Sequence, residues 1–156
     1  MSVILAIDLG KYNSVLCWLD AAGGEVSFRT AKTTPASVRA EMLSRPIERV
    51  VIEACSQAGW VHDLCGELGL PCQVANTAGA AWAWKNVKRK TDRDDALKLA
   101  RLSSLGELPV VAVPPAAVRQ RKSLIALRKR LVGQRVRGQN RLRGPFVGQG
   151  DRKSVV

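Results

Sequence analysis

Apolar and polar positions along the first 75 residues predict seven secondary-structure elements. Apolar runs bounded by turn residues predict strands, and apolar residues at helical spacing predict helices. Apolar residues at i, i+3, i+4 and i+7 from Val61, for example, mark a helix that Gly69 terminates. The predicted strands are Val3–Leu9, Ser14–Leu19, Glu25–Thr30, Arg49–Ile52 and Pro71–Ala75, and the predicted helices are Pro35–Ser44 and Trp60–Leu68. Thr34 is the expected cap of the first helix, which should bury Val38, Met42 and Leu43.

The sequence of the second half of the chain predicts helices. Asn76 is a candidate cap for a segment through Trp84, and Thr91–Ser103 is a helix that begins at an N-cap threonine. A longer helix is predicted over Ala116–Arg143, about 42 Å at 1.5 Å per residue. We expect Gly144-Pro145 to end it, because proline lacks the N–H donor that a helix needs.

The order of the elements predicts an α/β fold. The first three strands are joined by short turns, so they should be antiparallel neighbours. Strands one, four and five should be parallel because helices connect them. The prediction is a mixed five-stranded sheet with helices on both faces, followed by a long basic helix. The expected domains are residues 1–113 for the sheet, 114–144 for the helix and 145–156 for a divergent, disordered tail.

Composition excludes several classes of protein. The chain has 156 residues, of which 46% are hydrophobic and 24% charged, and no apolar run is long enough to span a membrane. Asp8 interrupts the apolar N-terminus, which argues against a signal peptide and favours the cytoplasm. With one histidine and no CxxC motif, a zinc site is hard to assemble, so buried thiols are expected at the four cysteines, Cys17, Cys55, Cys65 and Cys72.

Charge is distributed very unevenly along the chain. The net charge is +12, yet residues 1–87 hold seven basic and eight acidic residues, whereas residues 88–156 hold eighteen and five. A solvated helix face is one explanation, but so dense a run of one sign favours binding to a nucleic-acid backbone. The candidate nucleic-acid-binding residues are Lys85, Lys88, Arg89, Lys90, Arg119, Arg121, Lys122, Arg128, Lys129, Arg130, Arg135, Arg137, Arg141 and Arg143.

Two tryptophans precede the first basic cluster. Trp82 and Trp84 are two residues apart and cannot share one face of a helix, so one of them could be exposed. An exposed ring beside basic residues would suit base stacking, and packing into the core is the alternative for both.

Acidic residues mark a candidate metal site. Asp8 and Glu53 end two parallel strands, where a crevice forms in such sheets, although strand-end residues can also simply meet solvent. Asp92 and Asp95 lie at i, i+3 on one helix face, while Asp94 is placed to cap that helix. Four carboxylates form an oxygen-only ligand set that suits Mg²⁺ or Mn²⁺ and phosphodiester chemistry.

Four ordered motifs resemble one transposase family. These are IDLGK, VVIEA, VKRKTDRDDALKLARL and the basic LRKRLVGQRVRGQNRLRG, and over residues 1–144 they resemble the N-terminal part of the DEDD transposases of insertion-sequence family 110. The resemblance implies a ribonuclease-H-like (RuvC-like) fold with a catalytic, metal-binding tetrad of Asp8, Glu53, Asp92 and Asp95. It also implies Mg²⁺ or Mn²⁺ as cofactor, DNA and a structured guide RNA as partners, and homo-oligomers that cleave and exchange DNA strands.

The resemblance also implies what should be missing. Family members carry a serine nucleophile in a C-terminal domain, which we expect to be absent here, so that the isolated chain would be inactive in strand exchange. A helix stripe that such a segment would help to cover, Leu124, Leu127, Leu131 and Val132, is then expected to favour self-association.

Three other functions fit parts of the sequence. IDLGKYNS also resembles the phosphate-binding hairpin of actin-like ATPases and sugar kinases, but those proteins need two such domains. A stand-alone, metal-dependent Holliday-junction-type nuclease would use the same fold and carboxylates. A non-catalytic nucleic-acid-binding remnant is the third possibility, and turnover of branched DNA with Mg²⁺ would separate the last two.

Overall fold

A computed structural model describes residues 2–76 and 91–148 of the chain, with side chains as far as residue 145. Its strands are β1 (Val3–Asp8), β2 (Asn13–Asp20), β3 (Val26–Lys32), β4 (Arg49–Glu53) and β5 (Cys72–Ala75). Its helices are α1 (Pro35–Leu43), α2 (Ala58–Glu67), α3 (Asp92–Ser104) and α4 (Ala116–Gly148). Each corresponds to an element that the apolar pattern predicts, with ends that coincide or differ by at most five residues.

The five strands form one mixed sheet in the order β3-β2-β1-β4-β5. β2 is antiparallel to both β1 and β3, as the short turns between them require. β1, β4 and β5 are parallel, with Ile7 opposite Ile52 at the end of the β1–β4 ladder. The predicted fold class is therefore confirmed, including the direction of each strand.

Each face of the sheet is covered by different helices. Leu5 and Ile7 of β1 are buried in a cluster with residues of α1 and α2, such as Val38 and Val61. Alternate residues on the same strand, such as Ala6, are buried in a second cluster with α3. Because side chains alternate between the two faces of a strand, the apolar runs of β1 and β4 fill both core layers.

Local capping matches the sequence signals. The Thr34 side chain accepts a hydrogen bond from the Ser37 N–H and starts α1. Gly69 follows α2 with φ of +67°, a left-handed conformation that glycine adopts without steric cost. The backbone N–H of Leu70 then donates to the Cys65 carbonyl at 2.9 Å, which leads the chain into β5.

Two expectations about side-chain burial were wrong. Leu43 is 65% exposed, because it lies about 100° around α1 from Met42 and turns away from the sheet. Cys55 is also exposed, since it follows the end of β4 rather than lying within an element. Cys17 shows the expected behaviour of a core thiol: burial raises its pKa to about 11, against the opposing influence of Arg101, so it stays protonated.

The chain divides into two compact units, Met1–Val113 and Pro114–Val156. The second contains α4, which continues through Pro145 to Gly148, so the predicted break at Gly144-Pro145 was wrong. Proline at this position removes one donor, the partner of the Arg141 carbonyl, and the four carbonyls at a helix end have no helical partner in any case. Within the described part of the chain, no helix is long and apolar enough to cross a membrane.

Candidate active site and basic helix

Asp8 and Glu53 end adjacent parallel strands at the same level. Each follows directly after the last matched pair of β1 and β4, Ile7 and Ile52. Strand alternation places both on the face that α3 covers, because Ala6 and Val51 two residues earlier are buried there. Both carboxylates are half-buried. The sheet therefore brings these two predicted site residues together, about one strand spacing of 4.8 Å apart at the backbone.

The C-terminal end of α3 is fixed to the sheet by polar contacts. Arg49 at the start of β4 donates from Nε to Ser103 Oγ at 2.9 Å and from its terminal nitrogen to the Ser103 carbonyl at 3.0 Å. Ser103 Oγ in turn donates to Gln73 Oε1 of β5 at 2.6 Å. Ser103 is buried, so these hydrogen bonds satisfy groups that could not reach water.

The opposite end of α3 points towards the other side of the sheet. The Arg93 guanidinium lies 5.6 Å from the centre of the Phe28 ring, on β3. β3 is three strands away from β4, about 14 Å at 4.8 Å per strand. The helix therefore crosses the sheet obliquely, from β4 and β5 at its C-terminus towards β3 at its first turn.

Asp92 and Asp95 extend the buried stripe of α3 at its first turn. They precede Ala96 and Leu99 by one helical turn each, and those two residues pack on the sheet. Asp95 is half-buried and Asp92 is exposed. The pair thus shares a face, as its spacing predicts.

Asp94 caps the helix, as predicted. Its carboxylate accepts from the Thr91 N–H at 3.1 Å and from the Thr91 hydroxyl at 2.7 Å, while the Asp94 N–H donates to Thr91 Oγ1 at 3.3 Å. Together these contacts form a capping box. The pKa of Asp94 lies below its usual value. The hydrogen bond from the Thr91 hydroxyl is the largest cause, and the hydrogen bond from the Thr91 backbone N–H is the second.

The four predicted carboxylates are not drawn into one coordination sphere. Across residues 2–76 and 91–148, no three Asp, Glu, His or Cys side chains are placed so that they could hold one metal ion. The oblique path of α3 explains this arrangement, because it carries the first turn towards β3 and away from Glu53 on β4. Two pairs result: Asp8 with Glu53 on the strand ends, and Asp92 with Asp95 on the helix.

Beside Asp8, the β1–β2 turn carries two exposed side chains that sequence reasoning missed. Tyr12 is 72% exposed, and Lys11 Nζ lies 5.0 Å from the centre of its ring. The backbone of the turn is held from two directions: Gly10 O accepts from Gln57 Nε2 at 3.2 Å, and Tyr12 O accepts from the Thr33 N–H at 2.8 Å. The available signal was an aromatic residue next to a lysine in the turn that follows the acidic strand end.

Nearly all the predicted basic side chains of α4 are exposed. Arg119 is the exception, since it is half-buried and donates to the Pro114 carbonyl. Nine exposed cations therefore remain on this helix: Arg121, Lys122, Arg128, Lys129, Arg130, Arg135, Arg137, Arg141 and Arg143. Successive residues of a helix are 100° apart, which distributes these cations around its axis rather than along one face.

The apolar residues of α4 are exposed as well. Leu124 is 66% exposed and Leu131 is 54% exposed, and Leu127 and Val132 are 40% and 39% exposed. The predicted apolar stripe is therefore present on the helix surface.

The remaining predictions fall on residues that the structure does not describe. These are the predicted segment from Asn76 through Trp84, beyond residue 76, with its stacking tryptophans Trp82 and Trp84, and the basic residues Lys85, Lys88, Arg89 and Lys90.

A protein-family model for transposases of the IS110 DEDD type matches residues 5–147. The chain belongs to this transposase family. The match includes both carboxylate pairs of the transposase and all of its basic helix up to residue 147. The family expected from the four motifs is thus confirmed.

Two solved structures are similar to this transposase chain. RuvC of T. thermophilus in complex with a Holliday junction substrate has 16% sequence identity to this chain and a TM-score of 0.46. The match covers 71% of this chain and 100% of the RuvC chain. A second structure, of Thermus thermophilus RuvC, has 18% identity and a TM-score of 0.43, and it covers 70% of this chain and 99% of its own. No curated protein matches the transposase chain.

Proposed function

We propose that this chain is the nucleic-acid-binding and metal-binding part of a recombinase, in which Asp8, Glu53, Asp92 and Asp95 hold a divalent cation during DNA strand cleavage and exchange. The observation that carries the proposal is the convergence of Asp8 and Glu53 on one face of the sheet, in a member of a DEDD transposase family. α3 supplies the second carboxylate pair on the face that packs against that sheet.

The donor set fits the cation in its chemistry. All four groups offer carboxylate oxygens, which Mg²⁺ and Mn²⁺ prefer over nitrogen or sulfur. Bound there, a divalent cation would polarise a phosphodiester and lower the pKa of a coordinated water. Within the chain, Asp8 and Glu53 would provide the ligands fixed by the sheet, and α3 would position Asp92 and Asp95. Ser103 and Arg49 would contribute indirectly by fixing the far end of that helix.

The exposed cations of α4 are the proposed contact with phosphates. Twelve of the 25 basic residues, but only one of the 13 acidic residues, lie in the unit that contains this helix. Because the cations are distributed around the axis, a folded RNA that surrounds the helix would use more of them than one DNA groove would. DNA and a structured guide RNA are accordingly the proposed partners, and the exposed apolar stripe is the proposed site of homo-oligomer contact.

Metal binding tests the carboxylate assignment directly. Titration of the native chain with Mn²⁺ by electron paramagnetic resonance should show a bound ion. The Asp8→Asn variant should bind it at least about tenfold more weakly, because one anionic ligand is lost and even the loss of a hydrogen-bond partner of a ligand typically lowers metal affinity about 10- to 100-fold. Glu25→Gln removes an exposed carboxylate from the β2–β3 turn and is the matched control. Equal Mn²⁺ affinity of the native chain and Asp8→Asn would contradict the proposal.

One observation favours a second function, nucleic-acid binding without cleavage. Over residues 2–76 and 91–148, three potential ligand groups do not meet at one point. A domain of this kind would still bind DNA or RNA through α4. The Mn²⁺ titration separates the two functions, since only the first predicts a bound ion whose affinity Asp8→Asn lowers.

A further inference from the structure

We propose that Tyr12 and Lys11 form a subsite for an unpaired nucleotide, with the Tyr12 ring stacking on a base and Lys11 contacting its phosphate. The subsite would lie at the carboxylate edge, by which we mean the end of the sheet where β1 and β4 finish in Asp8 and Glu53. This inference rests on the proposed function, because it takes nucleic acid to be the ligand of that edge. It assigns a role in positioning the strand to the β1–β2 turn, which the carboxylate chemistry does not require.

The backbone of the β1–β2 turn is fixed by its contacts, so the exposure of the Tyr12 ring does not result from a flexible turn. A side-chain carbon at Gly10 would lie 2.2 Å from the Asn13 carbonyl oxygen, so the chain turns too tightly there for any other residue. Gln57 and the Thr33 N–H hold the carbonyls of Gly10 and Tyr12 at 3.2 and 2.8 Å. The ring of Tyr12 is thus presented to solvent from a fixed backbone, which lowers the entropy cost of binding a flat ligand.

The charges around the ring indicate an anionic ligand. Lys11 Nζ lies over the ring at 5.0 Å, and the exposed Lys32 is paired in register with Asn13, the residue after Tyr12. A cation over one face of a ring leaves the opposite face available for stacking. A base presents a flat π-surface and is linked to phosphates, so a nucleotide matches both the ring and the lysines.

Stacking on the Tyr12 ring favours an unpaired nucleotide over a duplex. Stacking needs the face of a base, which in a duplex is covered by its neighbours, so a single-stranded arm or loop is the matching ligand. The ring lies four residues after Asp8, at the carboxyl end of β1. The turn therefore lies at the end of the sheet that carries Asp8 and Glu53.

Fluorescence of a modified base tests the stacking contact. The probe is a set of forked DNAs that carry 2-aminopurine at successive positions of the single-stranded arm, bound by the full chain in EDTA so that no cleavage occurs. At one probe position, binding of the native chain should quench the fluorescence of 2-aminopurine. Tyr12→Ala should abolish that quenching and weaken binding about 5- to 150-fold, the range for loss of one stacked base.

Three further variants make the result specific. Tyr12→Phe keeps the ring and should retain both the quenching and the affinity within about twofold. Lys11→Ala should make the slope of log K against log[salt] less negative by about 0.7. Leu43→Ala removes an exposed apolar side chain just before the start of β4, away from the carboxylate edge, and should change nothing.

The outcomes separate this inference from the proposed function. If Tyr12→Ala matches the native chain at every probe position, while replacement of the α4 cations weakens binding, the subsite is wrong and the proposed function stands. If Tyr12→Phe behaves like Tyr12→Ala, the hydroxyl and not the ring makes the contact, and stacking is wrong. If the native chain fails to bind the fork at 50 mM salt, both proposals are overturned.

Discussion

The two units of this transposase chain differ in their charge balance and in how far they bury their apolar side chains. The Met1–Val113 unit holds 13 basic and 12 acidic residues and buries both faces of its sheet, with Leu5, Ile7 and Val51 fully enclosed. The Pro114–Val156 unit holds 12 basic residues and one acidic residue, and its helix exposes Leu124 and Leu131. The first unit is stabilised by its own core, whereas the apolar side chains that α4 exposes add little buried surface to the second.

This difference predicts that binding partners affect the stability of the two units unequally. An isolated helix gains little from propensity alone, and the like charges of α4 repel one another in water. Phosphates would remove that repulsion, and a second apolar surface would cover the leucines. We therefore expect binding to change the stability of α4 and to leave the sheet almost unaffected.

The largest expected effect is the dependence of nucleic-acid binding on salt. If six to ten cations contact phosphates, affinity should fall about 10³- to 10⁵-fold between 50 and 200 mM salt. Replacement of Arg128, Lys129 and Arg130 by Ala should make the slope of log K against log[salt] less negative by about 2 to 3 for duplex DNA. Fluorescence anisotropy with a labelled duplex measures both quantities.

The control for this experiment lies on the same helix. Gln120→Ala combined with Gln134→Ala shortens two exposed neutral side chains and should leave the slope unchanged. A slope near zero for the native chain would mean that α4 is only a solvated helix, and the contrast between the two units would then have no functional meaning.

The next effect compares one residue type in the two units. Leu5 is fully buried in β1, so Leu5→Ala should lower the free energy of unfolding by about 2–5 kcal/mol through lost burial and a cavity. Leu124 is 66% exposed, and Leu124→Ala should change it by no more than about 0.5 kcal/mol. Urea denaturation followed by tryptophan fluorescence, with Trp18 in the sheet core, reports on the first change.

The same pair of variants also tests the apolar stripe. If Leu124→Ala destabilises the chain as strongly as Leu5→Ala at high protein concentration but not at low concentration, the stripe is buried between copies. Light scattering of the native chain with and without RNA would then show self-association that Leu124→Ala removes. A chain that stays monomeric in both conditions would contradict the proposed oligomer contact.

The sheet was predictable from the sequence because its signals are local. Apolar runs, short turns and helical spacing specify the strands and their directions, and the spacing of Thr91 and Asp94 specifies the capping box. By contrast, Leu43 and Cys55 were misassigned because the apolar pattern alone does not define burial at the end of an element. Leu43 is the last residue of α1 and turns away from the sheet, and Cys55 follows the end of β4. The continuation of α4 through Pro145 shows that a breaker signal is weaker where only one helical hydrogen bond is lost.

The arrangement of the carboxylates was less predictable than their elements. The spacing of Asp92 and Asp95 indicates a shared face but not the angle at which α3 crosses the sheet. That angle depends on contacts such as Arg49 with Ser103, which join residues 54 positions apart. Tyr12 was missed for a related reason, since only the folded turn shows that its ring is exposed.

A smaller effect concerns the cap that starts α3. Thr91→Ala removes the hydroxyl that accepts from the Asp94 N–H, and it should lower the free energy of unfolding by about 0.5–2 kcal/mol. Thr91→Ser keeps the hydroxyl and serves as the control, with a change of a few tenths of a kcal/mol. If both variants lose the same stability, the threonine methyl group and not the capping hydroxyl is responsible. Thermal unfolding followed by circular dichroism measures these changes.

The smallest effect is the pH dependence of that cap. Hydrogen bonds from Thr91 hold the pKa of Asp94 below its ordinary value of 3.8, so the folded state favours the carboxylate more than the unfolded state does. The stabilisation from Asp94 should therefore be fully present above pH 3.8 and should be lost as the pH falls through the lower pKa of the folded state. Thermal unfolding of the native chain and of Asp94→Asn at pH 5.5 and pH 2.5 tests this sign. The native chain should be the more stable of the two at pH 5.5, and the difference should shrink at pH 2.5. A difference that grows on acidification would show that the carboxylate does not stabilise the first turn of α3.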